Sequence, residues 1–291
     1  MIARQARRRV RSIFLSDIHL GCKYSRAGEL LALLDRHEPE YLYLVGDIID
    51  GWRLKRRWHW APEYSRLLQR IMELAASGTQ ICYAPGNHDA FLRPFASDFG
   101  FLTVADEFLH TTADGRQFLV LHGDQFDNVE IRAQWLSVLG SVAYDTLLFV
   151  ASGISKVQKL LGIAPSDLAG FVKRRVKQAV RFVSNFEERL ARHARESACD
   201  GVICGHVHTP TATQLNGVQY LNTGDWVENR SSLIEYSDGC LEILHLPADR
   251  ADCCPVTFTL EPEPELSERE PEPRFVGEQL VVHRPRMPAA V

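Results

Sequence analysis

The chain has 291 residues, of which 45% are hydrophobic and 24% charged, and its formal net charge is −4. This composition is ordinary for a globular protein with its own core, and the small acidic excess gives no general attraction to nucleic acid. The most apolar stretch, 135–151, is shorter than the roughly 20 residues that span a bilayer and contains Asp145, so no transmembrane helix is expected. The basic N-terminus precedes no secretory apolar run, and the seven cysteines form no CxxC pair, which favours a cytoplasmic protein without a disulfide framework.

Five short apolar runs, each bounded by turn residues, predict buried strands. In chain order they are Ser12–Ser16, Tyr41–Val45, Gln80–Ala84, Gln117–Leu121 and Gly201–Cys204. Helical patterns separate the first three runs, one over 30–34 and another over 67–75. Because strands and helices alternate, we expect an α/β core.

Two later segments predict antiparallel hairpins. Asn216-Gly217 and Asp238-Gly239 each separate two strand-like runs, and these dipeptides favour the tight turns of β-hairpins. An antiparallel layer is therefore expected beside the α/β core, which gives a sandwich of two sheets flanked by helices.

Residues 128–197 have a different character, with two or three helical patterns and no strand pattern. The last pattern follows a candidate N-cap, Ser166, and carries a basic face opposite its apolar stripe. We interpret this region as a helical insertion that forms a lid over the core. The predicted organisation is a basic N-terminal segment (1–11), a core (12–127 and 198–248), the insertion (128–197), and a Pro- and Glu-rich tail (249–291) that we expect to be disordered.

Each of the five apolar runs ends in potential metal ligands. The motifs are Asp17-Ile18-His19, Gly46-Asp47-Ile48-Ile49-Asp50, Gly86-Asn87-His88-Asp89, His122-Gly123-Asp124 and Gly205-His206-Val207-His208. Any one of them alone is more readily explained as a polar turn, and the last two histidines can both point inward only if the backbone bends. Loops at the carboxyl ends of strands converge on one crevice, however, and carboxylate, imidazole and amide ligands together suit Mn, Fe or Zn. The five motifs in order therefore predict a metal site.

This set, DxH, GDxxD, GNHD, HGD and GHxH, resembles the calcineurin-like metallophosphoesterase superfamily over roughly 13–246. The resemblance implies a four-layer αββα sandwich with two divalent metal ions, Mn first and Fe or Zn as alternatives. It implies one metal held by Asp17, His19, Asp47 and His208. It implies a second held by Asp47, Asn87, His122 and His206, with Asp47 bridging. Such a pair clamps a phosphoryl group and generates hydroxide for in-line attack.

The same resemblance gives roles to His88 and Asp50. His88 would stand near the leaving oxygen as general acid or electrostatic stabiliser, and Asp50 would hold its ring in orientation. The alternative for Asp50 is a helix N-terminal acid.

Within the superfamily, the chain is similar to the UDP-2,3-diacylglucosamine pyrophosphatases in Leu15–Gly21, Gly51-Trp52, Asn87–Leu92 and the insertion after His122. This similarity implies hydrolysis of the diphosphate of a nucleotide-linked lipid, a step of lipid A biosynthesis, at the inner membrane. His88 departs from that branch, which carries Arg there and lacks the second Asp of GDxxD. A phosphodiesterase or phosphatase acting on a soluble ester is therefore an alternative, and a metal-bound scaffold without turnover is the alternative of another class.

Four side chains are candidates for substrate binding: Trp52, Arg93, Lys173 and Arg174. Trp52 would line the site or pack on the neighbouring helix, and Arg93 would contact a phosphate or remain a helix-face cation. The two insertion residues would meet anionic lipid and give peripheral membrane association, whereas an ordinary amphipathic cap is the alternative. No nucleic acid partner is expected, and the oligomeric state is left open.

Overall fold

The computed structural model describes residues 7–127 and 185–246. The chain divides into two compact units, Met1–Asp124 with Leu190–Val291, and Gln125–Arg189. Most of the predicted insertion, including Lys173 and Arg174, lies outside the described residues, as does the predicted tail. The sheets and the strand-end motifs belong to the first unit.

Twelve strands and four α-helices are present in the described ranges. In chain order they are β1 (Arg8–Leu15), α1 (Ala27–Arg36), β2 (His37–Leu44), α2 (Gly51–Arg56), α3 (Pro62–Ala76), β3 (Gln80–Tyr83), β4 (Ser97–Asp98), β5 (Leu102–Val104), β6 (Glu107–Thr111), β7 (Gln117–Leu121), α4 (185–196), β8 (Gly201–Cys204), β9 (Thr211–Leu215), β10 (Val218–Asn222), β11 (Ser231–Glu235) and β12 (Leu241–His245). A 3₁₀ helix, Ala90–Phe95, follows the third motif.

The predicted α/β sandwich is confirmed as two mixed sheets with flanking helices. One sheet has the strand order β12-β11-β1-β2-β3-β5-β4, and the other has the order β6-β7-β8-β10-β9. The five apolar runs are β1, β2, β3, β7 and β8, and both predicted turns join antiparallel neighbours. Parallel pairing of β1, β2 and β3 brings their carboxyl ends, and so the first three motifs, to one edge of the sheet.

Side chains of β1 and β2 alternate between two separate hydrophobic clusters. Ile13 and Leu15 pack with the apolar residues of α1 and α3 on one face. Phe14 faces the other sheet, where its ring stacks on Tyr43 with centroids 4.7 Å apart. Because both faces are covered, these strands need continuous apolar runs, which is why the sequence shows no polar alternation there.

The first strand begins at Arg8, four residues before the predicted start at Ser12. The basic residues enter the sheet because their charges find partners. Arg8 lies over the Tyr236 ring at 4.6 Å, and Arg11 Nε lies 3.2 Å from the buried Glu235 carboxylate. The predicted N-terminal segment 1–11 therefore ends inside β1, where its last residues are part of the fold.

Only the end of the predicted helical insertion is described. Residues 185–196 are helical, and Leu190, the last apolar position of the predicted pattern, is fully buried. His193 Nε2 lies 2.9 Å from Glu107 Oε2, which holds α4 beside β6. In the ranges 7–127 and 185–246, no helix is both long enough and apolar enough to cross a membrane.

Candidate metal centre

Five of the seven predicted metal ligands have a left-handed backbone conformation. Their φ values are 52° for Asp17, 51° for His19, 54° for Asp47, 70° for His206 and 51° for His208. Residues with a Cβ rarely adopt this conformation, which costs about 1–3 kcal/mol and tends to concentrate at functional sites. These bends accompany the placement of both histidines of GHxH beside other predicted ligands. The His206 ring lies near the His122 ring, with centroids 5.2 Å apart, and His208 Nε2 lies 2.9 Å from Asp17 Oδ1.

One group of ligand atoms gathers around Asp17. His19 Nε2 lies 3.7 Å from Asp17 Oδ1 and 3.4 Å from His208 Nε2. Asp17, His19 and His208 each offer an atom within 4.8 Å of the others, a spacing that a single cation can bridge. Asp17 is completely buried and His19 is nearly so, so a cation held here would be largely shielded from solvent.

Asp47 connects this group with a second one. Its Oδ1 accepts a hydrogen bond from His88 N at 2.8 Å, which fixes the carboxylate. Its Oδ2 lies 3.5 Å from His122 Nε2 and 4.0 Å from His19 Nε2. Asp17, Asp47 and His122 also offer ligand atoms within 4.8 Å of one another. Asp47 therefore lies between His122 and the group around Asp17.

Two of the predicted ligands have a buried atom without a hydrogen-bond partner among the described residues, His122 at Nε2 and Asn87 at Oδ1. His122 Nδ1 lies 2.9 Å from the Val45 carbonyl, which can only accept, so in the neutral ring the proton belongs on Nδ1 and Nε2 presents a lone pair. Leaving such acceptors buried without a donor costs about 1–3 kcal/mol each. A divalent cation satisfies both atoms, so the residues present fit a bound metal.

Glycines allow the loops to approach this closely. A Cβ on Gly46, which has a φ of 78°, would overlap the His122 ring. A Cβ on Gly86 would overlap the Asp47 carboxylate. The glycines of GDxxD and GNHD are therefore needed to bring Asp47 and His122 together.

The charges of the site stabilise one another. Burial opposes ionisation of Asp17 and Asp47, but the neighbouring histidines outweigh it and hold the pKa of each carboxyl below its ordinary value. Burial likewise opposes protonation of the histidines, yet Asp47 raises the pKa of His122 to about 10, and Asp17 raises the pKa of His19 well above its ordinary value. A metal would bind the unprotonated rings, so metal and protons compete for the same ring nitrogens.

His88 and Asp50 form a pair beside this cluster. His88 Nδ1 lies 3.0 Å from Asp50 Oδ1, and His88 Nε2 lies 3.8 Å from Asp47 Oδ2. Asp50 also caps α2, accepting from Arg53 N at 2.9 Å, so both roles weighed for it in the sequence fit its contacts. Trp52, half exposed, lies against the His88 ring with centroids 4.1 Å apart.

Arg93 is engaged in ion pairs within the protein. Its Nη2 donates to both oxygens of Asp124 at 2.7 and 2.8 Å and to the Pro85 carbonyl at 3.1 Å. Its Nε lies 3.4 Å from Asp106. These contacts hold the guanidinium against neighbouring carboxylates, and its contact with a substrate phosphate stays a prediction.

Sequence reasoning did not single out the polar groups behind the ligands. Asp89 of GNHD is buried and accepts hydrogen bonds from loop amides, and burial together with Asp47 raises its pKa. Asn229 Nδ2 donates to the His208 carbonyl at 2.7 Å and to Asp225. Asp89 had been noted only as a member of the GNHD motif and as a turn former, and no sequence pattern singled out Asn229.

A two-sheet α/β sandwich with carboxylate, imidazole and amide groups gathered at its strand ends defines a metal-dependent hydrolase. The chain belongs to the calcineurin-like phosphoesterase family, whose sequence model matches residues 10–210. It is accordingly a hydrolase of phosphate esters, and the family implies divalent metal ions.

The chain is also similar to several known proteins. A UDP-2,3-diacylglucosamine hydrolase of Shewanella sp. (strain ANA-3) is 24% identical over 246 residues, which cover 82% of this chain and 99% of that protein. The protein of the same name from Neisseria gonorrhoeae is 23% identical over 77% of this chain and 92% of its own length. A structure of an archaeal phosphodiesterase aligns with 13% identity and a TM-score of 0.41, covering 81% of this chain and 99% of that one.

Proposed function

We propose that the strand-end cluster is a two-metal centre. One cation would be held by Asp17, His19, Asp47 and His208. The other would be held by Asp47, Asn87, His122 and His206. The observation that carries this proposal is the position of Asp47 Oδ2 between His122 Nε2 and His19 Nε2, at 3.5 and 4.0 Å. The mixed oxygen and nitrogen ligands favour Mn, with Fe or Zn as alternatives.

The two cations, when bound, neutralise charge on the phosphoryl oxygens and lower the pKa of a water molecule that attacks phosphorus. His88 would then supply the proton that the leaving oxygen takes. The Asp50 carboxylate accepts from Nδ1, which keeps a proton on that nitrogen and directs Nε2 toward the cluster. Asp50 is therefore proposed as the positioning residue and His88 as the catalytic one.

For the substrate we propose the diphosphate of a UDP-diacylglucosamine-like, nucleotide-linked lipid. Support comes from the similarity to proteins named UDP-2,3-diacylglucosamine hydrolase, which extends over 82% of this chain. Lys173 and Arg174 of the insertion remain proposed lipid contacts, outside the described residues.

Exposed aromatic side chains after the second and third motifs support peripheral association with an anionic membrane. They are Trp52, Trp58, Phe91, Phe95, Phe99 and Phe101. Of these, Trp52 lies against the His88 ring, with centroids 4.1 Å apart. Three exposed cations, Lys55, Arg56 and Arg57, fall within the same segment as Trp52 and Trp58. Aromatic rings and cations together favour the interface of an anionic bilayer.

The His88–Asp50 pair favours a second candidate function, hydrolysis of a soluble phosphodiester or phosphomonoester. A proton donor helps most when the leaving oxygen is a basic alkoxide. The leaving group of a diphosphate is itself a phosphate, which is a weaker base and needs a proton less.

Turnover of three substrates side by side separates the two candidates. Mn-loaded protein would be given a UDP-diacylglucosamine, bis-p-nitrophenyl phosphate and p-nitrophenyl phosphate. We expect the highest kcat/KM for the lipid diphosphate, with Asp47→Ala as the control for contaminating activity. A higher kcat/KM for a soluble ester would replace the lipid proposal with the second candidate. Turnover of none of them by metal-loaded protein would contradict both.

Binding to vesicles tests the membrane part separately. Each basic residue near an anionic surface contributes about 1 kcal/mol, screened over roughly a Debye length. Changing Lys55, Arg56 and Arg57 together to Gln should weaken binding to vesicles that contain phosphatidylserine, while hydrolysis of a soluble ester is retained. The same change at Lys173, Arg174 and Arg175 tests the insertion. Wild-type protein that ignores these vesicles at low salt would contradict the membrane association.

A further inference from the structure

A buried carboxylate outside the candidate ligand set joins two of the ligand loops. Asp89 is completely buried. Its Oδ1 accepts from the Gly86 amide at 2.6 Å and from the Asp47 amide at 3.3 Å. Its Oδ2 accepts from the amides of Ile48 at 2.8 Å and Ile49 at 3.3 Å. One side chain thus holds the backbone of both the GDxxD loop and the GNHD loop.

The hydroxyl of Tyr83 holds Asp89 in turn. Tyr83 is the last residue of β3, is buried, and donates to Asp89 Oδ2 at 2.5 Å. The loops are also bonded in the reverse direction, since His88 N donates to Asp47 Oδ1 at 2.8 Å. Asp47 has a left-handed backbone, which persists only where its surroundings over-determine it. Asp89 supplies that constraint directly, and Tyr83 supplies it through Asp89.

We infer that Tyr83 and Asp89 are positioning residues that set the metal affinity of the centre. Asp89 fixes the amides that precede and follow the Asp47 side chain, and the Tyr83 hydroxyl prevents the Asp89 carboxylate from turning. Without that hydroxyl, the Asp47 carboxylate and the Asn87 amide oxygen are held less firmly in position. The inference rests on the proposed two-metal centre, because it takes Asp47 and Asn87 as ligands.

The test compares two buried tyrosines, Tyr83 and Tyr43, whose hydroxyls have different partners. Tyr83→Phe removes only the hydroxyl that binds Asp89. Tyr43→Phe removes an equally buried hydroxyl, one that lies 3.0 Å from His110 Nδ1, and serves as the matched control. Mn²⁺ binding to the metal-stripped full chain would be measured by isothermal titration calorimetry. Loss of an outer partner of a ligand typically weakens metal binding about 10- to 100-fold, so Tyr83→Phe should lose this much for at least one Mn²⁺, while Tyr43→Phe binds as wild type does.

Asp89→Asn gives a second, stronger variant. Its amide presents N–H groups to backbone amides that are themselves donors, so we expect a greater loss of Mn²⁺ affinity than in Tyr83→Phe. Wild-type Mn²⁺ affinity in Tyr83→Phe would overturn the inference, as would an equal loss in Tyr43→Phe. If Asp89→Asn does not fold, the tyrosine pair decides alone. Wild-type protein that binds no Mn²⁺ would overturn the two-metal proposal as well. Failure of the inference about Tyr83 and Asp89 can therefore be told from failure of the two-metal proposal.

Discussion

Two buried clusters of carboxylates and histidines lie in this fold, and they differ in how their polar atoms are satisfied. The first, which we call the inter-sheet network, consists of Ser12, Tyr43, His110 and Glu235. Glu235 accepts from Ser12 Oγ at 2.6 Å and from Ala113 N at 2.8 Å, and lies 2.8 Å from His110 Nε2. His110 Nδ1 in turn lies 3.0 Å from the Tyr43 hydroxyl. Every polar atom of Glu235 and His110 therefore has a partner.

The candidate metal centre uses the same residue types with the opposite result. Asn87 Oδ1 and His122 Nε2 are buried without a hydrogen-bond partner among the described residues, and five of the predicted ligands have a left-handed backbone. None of the residues of the inter-sheet network is among the described residues with that conformation. A satisfied network in relaxed backbone stabilises the fold, whereas strained backbone with unpaired acceptors indicates a place for a ligand.

Substituting one histidine in each cluster should give the largest difference in kcat. His88→Ala removes the proposed proton donor, so kcat should fall about 10²- to 10⁴-fold while bound metal is retained. His110→Gln, in the inter-sheet network, should lower stability and leave kcat per folded molecule unchanged. Steady-state kinetics and elemental analysis of both variants provide the check. Loss of metal in His88→Ala would show that His88 is a ligand instead, a possibility that its 3.8 Å distance from Asp47 Oδ2 makes worth testing.

The residues of the candidate metal centre could be found in the sequence because they directly follow strands. Apolar runs identified β1, β2, β3, β7 and β8, and the motifs behind them gave all the residues that the structure brings together. The short strands β4 and β5, the edge strand β6 and the short helix α2 were not predicted, since pairing and loop geometry form them more than apolar periodicity does. The partners of Asp89 are backbone amides distant in sequence, and no local pattern encodes them.

Breaking the inter-sheet network should cost stability without affecting metal binding. Glu235→Gln removes a buried charge that faces Arg11 and His110, and losing one partner of a buried ion pair costs about 3–5 kcal/mol. Urea unfolding of metal-stripped protein would measure this loss, and the Mn content after loading should equal that of wild type. A stable Glu235→Gln that no longer binds Mn would reverse the roles assigned to the two clusters.

The dependence of stability on pH gives a smaller contrast. A histidine whose pKa is raised in the fold stabilises it fully below the ordinary value of 6.5 and loses that contribution as pH rises through the folded pKa, about 10 for His122. The lowered pKa values of Asp17 and Asp47 stabilise the fold above about 3.8, and this contribution is lost as pH falls. The Tm of metal-stripped protein should therefore decline from pH 6.5 toward pH 10. Mn-loaded protein should lack this decline, because the metal replaces the protons; equal declines in both would contradict it.

Metal content measured on matched variants tests the two-metal centre most directly. Wild-type protein, stripped with a chelator, reloaded with Mn and freed of excess ion, would be analysed beside Asp47→Ala and Glu235→Gln. We predict two Mn per chain and restored hydrolysis for wild type, two Mn for Glu235→Gln, and loss of both metal and hydrolysis for Asp47→Ala, since its carboxylate would serve both cations. Hydrolysis that survives stripping with no metal detected, or two Mn retained by Asp47→Ala, would contradict the account.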